Sequence, residues 1–270
     1  MSKPAVETYS QQANPAFEAE LAERTALRDA AFFMPHLHRG MRLLDVGCGP
    51  GSITVDLAEV VAPGDVVGID IQSPLVAQAR ARAAARRLTT VRFEVADLYR
   101  LPYPDASFDA VFANGVLMHL REPARALVEL RRVLRAGGMA GLRDPDFATT
   151  LYAPMTPLLA QWLALRVRVR QHNGGDPFRS RHYRRLLLEA GFARVEASAS
   201  IDSAGTQSEI HRHTAFLNAQ LQGIATTAMA QGWVDEEGVN ATAAEIDTWA
   251  QRADAFTAMT WCQAIGWVHN

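Results

Sequence analysis

Lysine is almost absent from this 270-residue chain: Lys3 is the only one, and arginine carries nearly all the positive charge. The formal net charge is −2. The arginine-bearing runs RARAAARRL (80–88) and RRVLR (131–135) read as solvated helix faces, so no basic patch for a nucleic acid is expected. Residues 207–270 hold seven acids against two bases, which argues further against a phosphate-rich partner. Cysteine is scarce as well. Cys48 and Cys262 supply neither metal-ligand spacing nor a disulfide framework, so no metal site is expected. The opening MSKPAVETYSQQANPAFEAE has no apolar signal core, and no apolar run reaches bilayer length. The expectation is a protein of the reducing cytoplasm with no membrane partner. Internal repeats and low-complexity linkers are also missing.

What is present is a 49% hydrophobic, 21% charged chain able to bury a full core. From residue 41, short apolar runs alternate with helical stretches. MRLLDV (41–46), DVVGID (65–70), TVRFEVAD (90–97), FDAVFAN (108–114) and MAGLRD (139–144) read as strands. Between them lie helices. One is opened by Ser73 as N-cap with Pro74 in its first turn, and another is ended by the Gly137–Gly138 pair. A helix is expected over Pro157–His172, another in RSRHYRRLLLEAGF with Gly191 at its stop, and a sixth strand in ARVEASAS. Residues 206–258 read as mostly helical and MTWCQAIGWV (259–268) as a returning strand. This alternation predicts an α/β, Rossmann-like, seven-stranded, mostly parallel sheet with helices on both faces. The later helical segments, 147–180 and 206–258, would be insertions forming a cap over the strand ends.

In such sheets ligands bind at the carboxyl ends of the strands, so function is sought there. The first strand runs into LLDVGCGPGSIT (43–54). Gly47, Gly49 and Gly51 allow a tight turn and bare-backbone approach to a ligand, with helix N-terminal amides behind them. The spacing is GxGxG, not the GxGxxG of a pyrophosphate loop. Asp45 before the loop would repel a pyrophosphate and suit an ammonium group, or else it caps the loop amides. Asp70 ends the second strand at the spacing of a ribose-binding acid. Asp97 ends the third, where it can accept from an adenine amino group or simply open a turn. Leu98 and Ile71 could sandwich a ring. All three acids fall at one edge of one sheet.

LLDVGCGPGSIT, VVGIDIQ, VRFEVADLYRLPYPDASFDAVFANGVLMHL and ELRRVLRAGGMAGLRD resemble, in order, the successive motifs of class I S-adenosylmethionine-dependent methyltransferases. They are most similar to the ubiquinone and menaquinone biosynthesis branch, over residues of about 39–145. The resemblance implies S-adenosyl-L-methionine as cofactor and a small-molecule acceptor methylated on O, N or C. It implies that Asp45, Gly47 and Gly49 surround the methionine portion, Asp70 binds ribose, Asp97 and Leu98 contact adenine, and Asn114 lies near the methionine tail or sulfonium. It further implies an N-terminal helical lid over 1–38, with Tyr9 and Arg24 able to reach the pocket, and a cofactor-binding core over 39–205 and 259–270. A monomer or homodimer is expected.

A base is needed only where the acceptor must lose a proton. His119, in ANGVLMHL, is the candidate base, or else a helix histidine packed beside the cofactor. Asp144 and Asp146 follow the fifth strand and could orient an acceptor amine or hydroxyl, or else build an Asp-Pro-Asp turn. His182, His211 and His213 fit no metal pair. Trp162, Phe216, Trp233, Trp249 and Trp261 would form the cap core, some of them lining an apolar acceptor site. Three alternatives differ in class. A nucleic-acid methyltransferase is disfavoured because NGVL stands where an Asn/Asp-Pro-Pro-aromatic tetrapeptide would and no basic face is expected. A nicotinamide dehydrogenase is separated by cofactor binding. A cofactor-binding protein without methyl transfer, either a cyclase or a pure binding module, is separated by turnover.

Overall fold

The computed structural model describes residues 14–269, so Tyr9 lies outside the described residues. Two short helices, α1 (Pro15–Ala22) and α2 (Ala26–Asp29), lead into the sheet. Strands and helices then alternate: β1 (Leu43–Val46), α3 (Ser52–Val61), β2 (Val66–Asp70), α4 (Ser73–Ala85), β3 (Val91–Val95), β4 (Phe108–Asn114), α5 (Pro123–Val133) and β5 (Leu134–Pro145). After them come β6 (Leu151–Ala153), α6 (Pro157–His172), α7 (Tyr183–Glu189), β7 (Arg194–Ala204), α8 (Gln207–Ala230), α9 (Glu236–Ala250) and β8 (Phe256–Trp267).

Strands β3-β2-β1-β4-β5 pair in parallel in that order. β8 runs antiparallel between β5 and β7. β6 continues the β5 edge against the first residues of β8. The sheet therefore has eight strands, not the expected seven. The extra strand, β6, is three residues long, too short for an alternating pattern to declare it.

Alternation along each strand sends neighbours to opposite faces. Leu44, Val67 and Val111 join one core with Leu127 and Leu130 of α5. Leu43, Val66 and Phe112 join the other with Leu57 and Val61 of α3 and with Phe33 from the N-terminal segment. A separate core, containing Trp162, Leu217, Leu221, Ile224, Ile246 and Trp249, is built by α6, α8 and α9. No described helix is long and apolar enough to cross a membrane.

Two expected boundaries move. Gln72, not Ser73, occupies the N-cap of α4, with no side-chain cap bond. The acid two residues earlier, Asp70, accepts from the Gln72 amide instead, at 2.9 Å. The Gly137–Gly138 pair does not stop α5, which ends at Val133. The pair lies inside β5, where pairing to β4 shifts register and Gly137 takes φ +72°.

Candidate functional site

Strand order reverses at β1, which lies between β2 and β4. A cavity of about 210 Å³ opens at the carboxyl ends of these strands, and the glycine loop lines it. Gly47 has φ +67°, and a side chain there would meet Val116 Cγ2 at 2.4 Å. Gly51 has φ +77° and sits 2.8 Å, measured from an added Cβ, from Ala79 of α4. The loop is thus clamped between β4's following turn and α4, and only glycine fits both points.

Asp45 is buried beside this loop and accepts from the Thr54 hydroxyl at 2.5 Å. Burial pushes its pKa up to about 7; Thr54 opposes the rise and the nearby Asp70 adds to it. Among the described residues it has no cationic partner. Asp70 accepts from the Gly49 amide at 3.0 Å as well as from Gln72, tying the loop to the end of β2. Burial raises its pKa while the Gln72, Gly49 and Ile71 amides oppose the rise. Asp97 accepts from the Tyr99 amide at 2.8 Å, so it builds a turn and lines the cavity at once. Leu98 is buried in the wall and Ile71 is 58% exposed beside it.

Asn114 ends β4, buried. Its Oδ1 accepts from Arg143 at 3.3 Å, while its Nδ2 has no acceptor among the described residues. Cavity and residues fit S-adenosylmethionine: an uncompensated buried carboxylate for an ammonium, an orphan amide donor, and glycines that leave the loop backbone bare. His119 also lines the cavity. Burial, with Arg170 and Arg179 nearby, lowers its pKa to about 3, so the imidazole is neutral.

Asp144 corrects an expectation. It does not line the cavity. Its buried carboxylate accepts from the Met118 amide at 2.8 Å and from the Tyr183 hydroxyl, and burial raises its pKa to about 6 against these bonds. Asp144 therefore holds the turn that carries His119 and does not face an acceptor. Asp146 is likewise turned away, in a two-bond pair with Arg181 at 2.6 and 2.7 Å. His182 and His211 lie off the cavity, and His213 lines a second one of about 510 Å³. Arg24 lines both cavities and stacks over Trp261, its carbon 5.6 Å from the ring centre. Of the five later aromatics, Phe216 and Trp261 line the main cavity, while Trp162 and Trp249 are buried in the helical core and Trp233 packs on it.

Three residues escaped the sequence reading. Arg143 of β5 is 1% exposed, pairs with Asp29 of α2 at 3.1 Å and with Asp202 of β7 at 3.4 Å, and stacks 4.0 Å from the Trp261 ring centre. Arg166 and Arg170 of α6 line the main cavity. Their signal was legible: Leu159, Trp162, Arg166, Val169 and Arg170 form the buried stripe of α6, and two arginines stand in it.

A family model described as a methyltransferase domain matches residues 37–186. An uncharacterised methyltransferase of Schizosaccharomyces pombe is 32% identical over 211 residues, 74% of this chain and 75% of that protein. A demethylmenaquinone methyltransferase of Deinococcus radiodurans is 36% identical over 131 residues, 48% of this chain and 54% of the relative. The crystal structure of the YcgJ protein from Bacillus subtilis superposes with a TM-score of 0.61 at 19% identity, over 90% of this chain and 99% of that one.

The buried geometry makes one prediction here. Among the described residues, Arg143→Met leaves Asp29 buried with only Arg28, at 3.0 Å, as cationic partner. Urea unfolding is expected to show a loss of about 3 kcal/mol. Asp202→Asn, at a side chain 41% exposed, is expected to cost under about 1 kcal/mol. Equal costs for the two variants would remove Arg143 from its central place.

Proposed function

The chain belongs to the methyltransferase-domain family and is an S-adenosylmethionine-dependent methyltransferase, and from that premise we propose how its residues divide the work on a small-molecule acceptor. Asp45, Gly47 and Gly49 surround the methionine portion, with the Asp45 carboxylate taking the amine. Asp70 binds the ribose hydroxyls. Asp97, Leu98 and Ile71 hold the adenine. Asn114 gives its free Nδ2 proton to the methionine end. The single observation that carries this reading is the cavity itself: Asp45, Asp70 and Asp97 line it from three successive strands, at the point where strand order reverses.

When bound, the cofactor supplies an electrophilic sulfonium methyl. What this chain must do is align the acceptor, exclude water and, for some acceptors, move a proton. Arg24 after α1, Phe216 of α8 and Trp261 of β8 complete the cavity lining. His119, neutral because burial and two arginines hold its pKa near 3, can accept a hydrogen bond from an acceptor hydroxyl or amine. It is too weak a base to keep a proton near neutrality, so its part is orientation. Asp144 and Tyr183 act through it, by fixing the turn on which it stands.

We also propose that kinship to the quinone-biosynthesis branch concerns cofactor handling. The match to the demethylmenaquinone methyltransferase spans about half of each chain. The helices that line the acceptor side, α6 and α8, lie in the later half of the sequence, where the family model also ends partway.

Two outcomes are expected. Asp70→Ala should raise the KM for S-adenosylmethionine by roughly tenfold to a hundredfold, the loss of charge-assisted hydrogen bonds. An unchanged KM removes Asp70 from the ribose site. Since Asp45 titrates near 7 and an ammonium binds its ionised form, affinity for S-adenosylhomocysteine should climb as pH rises from 5.5 through about 7 and level off about one pH unit higher, with proton release on binding. Asp45→Asn should flatten that profile; a flat profile in the parent protein contradicts the assignment.

A further inference from the structure

The charges lining the main cavity are sorted by position. Its acids are Asp45, Asp70 and Asp97, all at strand ends. Its arginines come from other elements: Arg24 follows α1, and Arg166 and Arg170 stand on α6. The acids serve the cofactor under the reading above, which leaves the arginines for the acceptor.

Arg166 is the informative one. It is 2% exposed, and among the described residues no carboxylate lies within ion-pairing distance. The Tyr152 hydroxyl interacts with it, and the His213 ring is held neutral, its pKa lowered to about 4 by burial and by Arg166 itself. Among the described residues its Nε has no acceptor. The guanidinium lies 4.7 Å from the Phe147 ring centre, and Arg170 lies 4.2 Å from the same ring. Trp261 lines the same cavity, and its Nε1 also lacks an acceptor. A buried guanidinium without a counter-charge is costly, and helices rarely carry one in a core stripe. Here it stands between two cavities, since Arg166, Arg24, Phe216 and Trp261 line both.

We propose that the methyl acceptor is an aromatic oxyanion, a ring-bearing carboxylate or phenolate, whose negative oxygen is received by Arg166, with the Trp261 Nε1 proton as a second donor lining the same cavity. The ring then packs on Phe147 and Phe216, which line the cavity around these donors. Guanidinium forks match carboxylates in two-bond geometry, and the dry aromatic wall strengthens the pairing. The pairing also fixes the ring's orientation, and so which atom faces the cofactor end. This rests on the methyltransferase reading of the cavity.

The test is calorimetry at pH 8 on the protein loaded with S-adenosylhomocysteine, using 4-hydroxybenzoate, 4-nitrophenol and the neutral 4-hydroxybenzamide. At least one anion is expected to bind roughly tenfold to a hundredfold more tightly than the amide, and which one does so separates carboxylate from phenolate. Arg166→Met should abolish that preference while leaving S-adenosylhomocysteine affinity unchanged and thermal melting no lower, because an unpaired buried charge is replaced by an apolar side chain. The inference is overturned if the amide binds as well as both anions, if none of the three binds at millimolar concentration, or if Arg166→Met keeps the preference. The comparison of anions with amide in the parent protein stands even if the variant does not fold. Loss of S-adenosylhomocysteine binding in the parent would instead overturn the cofactor reading, and the loading step reports that separately.

Discussion

A guanidinium buried in the central sheet is costly without counter-charge, and Arg143 of β5 sets that constraint for this molecule. Four parts of the chain answer it. Asp29 comes from the N-terminal helix α2, Asp202 from β7, Asn114 from the end of β4, and the Trp261 ring from β8. Each contact fixes a different element against the sheet edge where the cavity opens. The N-terminal segment is held where Leu21 and Arg24 line that cavity, and Asn114 is held with its Nδ2 free. The worth of such a cluster lies in placement more than in net stability, since buried pairs return little beyond their desolvation cost.

The same logic of charge placement runs through the cavity. Acids gather where three parallel strands end, and two of the three cavity arginines stand in the buried stripe of α6. Burial has raised the pKa of Asp45 and lowered that of His119, so each is closer to neutral than in water. A cationic methyl donor and an anionic acceptor would both find partners in such a cavity. Fixed charges of both signs would then orient cofactor and acceptor, with little left for a general base to do.

Much of this was legible in the residues. The parallel strands β1 to β5 followed from apolar runs and turn residues, and α6 from its Pro157 start, because local patterning decides those elements. Three features were hidden for identifiable reasons. Asp144 was placed by its distance past a strand, yet β5 extends through it, and alternation turns Arg143 and Asp144 to opposite faces. Arg143 meets Asp29 on one side, and Asp144 meets Tyr183 on the other. Ser73 had the right identity for a cap, but Asp70, with a long enough side chain and two amides to satisfy, took the helix entry instead. The role of Arg166 depends on what is missing around it, a carboxylate that no local pattern can announce. The glycine loop gave the opposite case: Asp45, GxGxG spacing and two later acids marked the cofactor before any coordinates.

The central claim is that this edge of the sheet holds S-adenosylmethionine and not a dinucleotide. Isothermal titration of the protein with S-adenosylhomocysteine and with NAD tests it most directly. The account predicts binding of S-adenosylhomocysteine at about micromolar Kd, near −8 kcal/mol, and no heat from NAD. Binding of NAD, or no binding of S-adenosylhomocysteine at millimolar concentration, would contradict it.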